Sequence, residues 1–196
     1  MNMMKLPLTA GLKRQKPHAV QGRTDLLNGR REGRALAERL LAHLAAIEPD
    51  SILPVDFGKV SFMDFSCADE LMTRVLRRIR SGELGTRFLL VQDLAPSVEE
   101  NIAAVFAIRD LVCPKRTTGG KIELLGKIGP ELTETYQLAV RKGRITARDV
   151  MAIAPDVGIS AISNRLAKLQ TMGLLVRTKE GAPETGGRQF VYQAVC

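Results

Sequence analysis

The sequence predicts an α/β unit, a mixed sheet with helices, followed by a small α+β unit. Three observations carry this. Apolar residues recur at helical spacing over 34–47, 66–80 and 97–112. Short β-rich runs lie between and after them, at 52–57, 87–91 and 121–125. Beyond about residue 128 the order changes to helix, short helix, turn, longer helix and two strands. Strands alternating with helices imply a sheet that is mostly parallel where its crossovers are helical.

The elements follow in order. Residues 1–20 form a basic N-terminal arm with weak patterning and the cluster Lys13, Arg14, Lys16. It reads as a solvated tail or an additional phosphate contact. A strand within 19–27 would complete the sheet. The first helix turns Leu36, Leu40, Leu41, Leu44 and Ile47 inward. The strand at 52–57 runs into a polar loop, and the spacing predicts a helix from Ser66 to about Arg80, burying Ala68, Leu71, Met72, Val75 and Ile79. Ser66 and Asp69 have capping-box spacing, as do Ser97 and Glu100 at the next helix, which extends to about Val112. The α/β unit spans 21–128.

The second unit spans 129–196. Leu132, Tyr136, Ala139 and Val140 form the apolar stripe of its first helix. Thr146 and Asp149 make a capping box for a second helix, which Pro155 ends. The third helix covers 160–172, with Ile162, Leu166, Leu169 and Met172 inward. Its other face carries Ser160, Ser163, Asn164, Arg165, Lys168 and Thr171. Hydroxyls, an amide and two cations on one face suit an element that enters a major groove and touches phosphates. Gly173 stops the helix, a strand begins at Leu174, and 179–187 is a polar connection to a β-rich run at 188–195. Arg177, Lys179 and Arg188 stand at the base of that loop, where they can grip a DNA backbone.

The stretch ISAISNRLAKLQTMGLLVR at 159–177 resembles the winged helix-turn-helix of bacterial regulators of the MarR and ArsR kind. The resemblance implies double-stranded DNA as partner and a homodimer. It leaves open a winged helix used only for protein contacts. The segment Ser-Phe-Met-Asp-Phe-Ser at 61–66, followed by Cys-Ala-Asp-Glu-Leu, resembles STAS domains of anti-sigma-factor antagonists and related STAS-like domains. That resemblance implies a STAS-like mixed sheet, with Ser66 at the phosphoacceptor position, Asp64 at the preceding acid, and a kinase or sigma-control protein as partner. Cys67 stands where the antagonists have glycine. Ser66 is therefore either a helix cap or a phosphoacceptor, and Asp69 and Glu70 either join a partner surface or pair with arginines such as Arg74.

Charge supports a polyanionic partner. The chain has 29 Lys+Arg against 21 Asp+Glu and a pI near 9.8. Residues 1–34 carry net +6, 35–130 net −1, and 131–196 net +3, so the basic parts are the arm and the C-terminal unit. Three isolated cysteines and two histidines, His18 and His43, fit neither a disulfide framework nor a zinc site, and imply a reducing cytoplasm. Both histidines are expected near the surface. No run approaches a membrane span or a secretory signal. No nucleophile–base pair, phosphate loop or cofactor motif has the spacing an enzyme would require. The expected protein is a DNA-binding transcriptional regulator with a signal- or partner-sensing STAS-like domain. The alternative is a partner-switch protein whose winged helix serves assembly.

Overall fold

The computed structural model describes residues 12–181 and 188–196. The first part of the basic arm and the tip of the C-terminal hairpin lie outside the described residues. Within them the chain is mixed α/β. Strands β1 (Lys13–Arg14), β2 (His18–Ala19) and β3 (Leu26–Leu27) lead into helix α1 (Gly29–Ala46). Then come β4 (Ser51–Asp56), β5 (Phe62–Met63), α2 (Phe65–Ala68), a π-helical turn (Asp69–Thr73), α3 (Arg74–Arg80), β6 (Arg87–Gln92) and α4 (Pro96–Arg109). Strands β7 (Cys113–Arg116) and β8 (Ile122–Leu125) close this unit.

The main sheet has the order β1-β4-β6-β7-β8, with β2 also paired to β4. All pairs are parallel except β7 with β8. Helical crossovers force the parallel pairing, and the short turn at 117–121 permits the antiparallel one. Strands β3 and β5 form a separate two-stranded parallel pair. The N-terminal segment corrects the expectation of a free arm to residue 20. Lys13–Arg14 and His18–Ala19 are sheet edge strands, because the backbone of β4 offers unpaired groups on that side. The histidines are corrected in part. His43 is exposed, whereas His18 is half-buried and stacks on it with ring centroids 4.6 Å apart.

Helix α1 buries Leu36, Leu40, Leu41 and Leu44 as its spacing predicts, but it starts earlier, at Gly29. Gly33 explains how closely α1 approaches α2. A Cβ there would lie 2.5 Å from the Cys67 carbonyl oxygen, so only glycine fits. Helix α4 is capped by Ala95 with Pro96 in its first turn, not by Ser97, whose hydroxyl donates instead to the Ser61 carbonyl at 2.9 Å. The helix stops at Arg109, and Asp110 takes the left-handed conformation, which frees the chain for β7, a strand the periodicity did not separate from the helix.

The C-terminal unit contains α5 (Pro130–Lys142), β9 (Arg144–Ile145), α6 (Ala147–Ile153), α7 (Ile159–Thr171), β10 (Leu175–Gly181) and β11 (Arg188–Ala194). Its sheet is antiparallel, in the order β10-β11-β9. Lys179 and Arg188 lie within the paired strands, opposite Phe190 and Gly181, rather than in the connecting loop.

The two units share packing. Val176 and Val195 belong to the core of the first unit, while Ile122 and Leu124 of β8 pack against the core of the second. Cross-strand register sets Gln92, Arg116 and Ile122 on one sheet face, toward the C-terminal unit. Lys115, one position away, points to the other face and reaches Glu99 of α4 at 2.6 Å. The Leu12 backbone N–H donates to Gln193 Oε1 at 3.3 Å, and the Tyr136 hydroxyl donates to the Val195 carbonyl at 2.8 Å. With both faces covered, β4 and β6 tolerate almost continuous apolar side chains.

Candidate functional site

Helix α7 owes its position to two local features. Thr146 and Asp149 form the expected capping box of α6: the Thr146 N–H donates to Asp149 Oδ2 at 2.8 Å, and the Asp149 N–H to the Thr146 hydroxyl at 3.4 Å. The Lys142 ammonium, 2.7 Å from Asp149 Oδ1, holds that carboxyl below the usual carboxylate range. A turn closed by the Val157 N–H on the Ala154 carbonyl then redirects the chain, and Gly158 caps α7.

Ile162, Leu166 and Leu169 are fully buried, while Met172 is half-buried at the end of the helix. On the opposite side Ser160, Ser163, Asn164 and Lys168 are exposed and Arg165 is half-buried. None of these five side chains makes a hydrogen bond or ion pair among the described residues, whereas the Thr171 hydroxyl, also on this face, donates to the Ala167 carbonyl at 3.0 Å. Two hydroxyls, an amide, a guanidinium and an ammonium thus face outward unengaged. Arg177 is exposed, with its guanidinium carbon 4.4 Å from the centroid of the Phe190 ring, a cation–π contact that orients it beside the hairpin. Lys179 and Arg188 follow by backbone register on the same two strands. Their expected phosphate contacts fall on side chains outside the described residues.

The β4–α2 junction is built differently from the sequence expectation. Asp64, not Ser66, caps the helix: its Oδ1 accepts from the Cys67 N–H at 2.7 Å and its Oδ2 from the Gly29 N–H at 2.9 Å. One carboxylate therefore ties together the first turns of α1 and α2. A carboxylate reaches two N–H groups at once, which a serine hydroxyl in the second helical position cannot do. Ser66 lies inside α2, half-buried, and its hydroxyl has no partner among the described residues.

Of the two expectations for Asp69, a partner surface or a pairing with an arginine, the structure shows a pairing. Asp69 is buried, and Arg109 of α4 donates to both its oxygens, at 2.9 and 2.6 Å. The Thr73 hydroxyl adds a third bond at 2.9 Å. Arg109 holds the carboxyl below its ordinary range, against the opposing effect of burial. The π-helical turn contains Asp69, Glu70 and Thr73, an irregularity that helical periodicity does not reveal. Glu70 pairs with Arg74 at 2.5 Å, as expected, and more loosely with Arg34 at 3.8 Å. Around this junction Leu26 and Phe62, cross-strand neighbours, and Phe65 expose apolar surface.

Other reactive groups are withdrawn. Cys67 and Cys113 are buried, and burial pushes the Cys67 thiol up to about 12 and the Cys113 thiol higher. Neither supplies a thiolate near neutral pH. Among the described residues no three His, Cys, Asp or Glu side chains gather as a metal ion would require. Nor is any helix there long and apolar enough to cross a membrane. No protein family matches the chain, and no curated protein or solved structure does.

Proposed function

We propose that this protein is a DNA-binding transcriptional regulator that works as a cytoplasmic homodimer. Helix α7 is its reading element in the major groove, and Arg177, Lys179 and Arg188 hold the phosphates beside it. The α/β unit senses a signal or holds a partner. The observation that carries this reading is the unengaged polar face of α7. In the free chain water satisfies these donors and acceptors, so they stay available to a partner. A major groove offers each of them a base edge or a phosphate. The basic balance of the C-terminal unit agrees. The test is selection of duplex fragments by the full chain, followed by affinity measurements across a salt series. A triple alanine variant at Ser163, Asn164 and Arg165 should lose sequence preference and affinity. Unchanged preference and affinity would refute the assignment.

A second reading is supported by exposed apolar side chains. Leu26, Phe62 and Phe65 lie exposed on the β3–β5 pair and at the start of α2, and Met151, Ile153 and Ile159 lie exposed along α6 and the start of α7. Such surfaces suit a protein partner, as in a partner switch whose C-terminal unit serves assembly. Capture of a kinase or sigma-control protein by a chain without salt-dependent DNA affinity would favour it over the regulator.

A further inference from the structure

We propose that the cleft between α1 and the bent segment at 21–26 is a binding site for a small organic anion bearing two or more acidic groups. The cleft measures about 730 Å³ and adjoins a smaller recess of about 340 Å³ that shares Gln21, Gly22 and Arg39. A volume of this size accommodates a metabolite-sized molecule.

Its chemistry is set by three guanidiniums. Arg31 and Arg39 lie eight residues apart on one stripe of α1, about 12 Å along the axis, with Ala35 between them leaving room. Arg23 lines the same cleft from the segment opposite, where the chain bends. Arg39 donates to the Gln21 carbonyl at 2.6 Å, which anchors the cleft's far wall to the helix. Arg23 and Arg31 have no hydrogen bond or ion pair among the described residues. Glu32 is the carboxylate lining the cleft, with its Oε2 accepting the Asn28 N–H at 2.9 Å, so three guanidiniums stand against one carboxylate. An excess of forked donors over free acceptors selects phosphate or carboxylate groups, and the spacing of Arg31 and Arg39 selects a ligand with more than one.

The site gives a chemical class to the signal of the proposed regulator, and in that role it rests on that reading. Binding itself does not, and the test contains no DNA. The full chain is titrated calorimetrically with pyrophosphate and, separately, with citrate, at roughly 0.15 M ionic strength. At least one probe should saturate with one-to-one stoichiometry, and which one binds distinguishes phosphorylated from polycarboxylated ligands. Arg23→Ala and Arg31→Ala should each weaken it about 10-fold or more, the loss expected for a charge-assisted fork. Both side chains are exposed and unpartnered, so circular dichroism should find the variants folded. Arg77→Ala, an exposed arginine of α3 outside the cleft, should bind as the parent does. Failure of both probes to saturate, or equal binding by Arg23→Ala and Arg31→Ala, would overturn the site. Loss of DNA binding alone would refute the regulator and leave this result standing.

Discussion

Replacing Asp69 with alanine tests how the π-helical turn is held. The substitution removes two charge-assisted hydrogen bonds from Arg109 and one from Thr73. It leaves the Thr73 hydroxyl buried without that acceptor. Hydrogen bonds to charged groups contribute about 1.5–3 kcal/mol where both partners are buried. The Arg109 side chain is 39% exposed and can turn to solvent, so its share must be discounted for screening. A net loss of about 2 kcal/mol follows. For a chain of this length that corresponds to a fall in Tm of about 4–8 °C. Urea denaturation followed by circular dichroism measures it, read as a lower midpoint at unchanged slope. The pH dependence carries a sign. Arg109 depresses the folded-state carboxyl, so the stabilisation is fully present above the unfolded value of about 3.9. It is lost as pH falls through the lower, folded value. Parent and Asp69→Ala curves should therefore be parallel near neutrality and converge only in acid. A change under about 0.5 kcal/mol, the size of an ordinary surface substitution, would refute the role given to this ion pair.

Asp64→Ala should cost about 1–2 kcal/mol in the same denaturation assay because it removes the cap of α2 and the tie to Gly29, whereas Ser66→Ala should cost less than about 0.5 kcal/mol; the opposite ranking would restore Ser66 as the cap. Intact-mass and peptide mapping of protein from its native cells should find Ser66 without phosphate, since Asp64 and the buried Asp69 already place negative charge at this helix start. Asn164→Ala should weaken binding to a selected duplex by about 1–3 kcal/mol, and Lys168→Ala should weaken all sequences alike and flatten the salt slope, both read by fluorescence anisotropy. Gly33→Ala should destabilise by about 1–3 kcal/mol, because its Cβ meets the Cys67 backbone rather than a movable side chain, and thermal melting measures this.

Helical stripes and strand runs were legible in the sequence because they depend on local periodicity. The stripe of Leu36, Leu40 and Leu44, that of Ile162, Leu166 and Leu169, and the Thr146–Asp149 box all lie where local spacing puts them. The outward face of α7 was legible for the same reason: once three residues of a helix are inward, the others are fixed. What depends on distant partners was not legible. Ser66 and Asp64 both have capping chemistry, and the choice between them follows from Gly29, which tertiary packing brings to the Asp64 carboxylate. Asp69 appears as a surface acid until α4 delivers Arg109 from forty residues away. The arginines at 23, 31 and 39 are unremarkable in sequence, and they become one cleft only when the segment at 21–26 folds back along α1. The packing of the C-terminal unit on the main sheet is of the same kind. Val176 and Val195 are ordinary strand residues by pattern, and a second apolar surface decides which core they enter. Periodicity fixes which way a side chain points along its own element, and the tertiary fold alone fixes what it meets there.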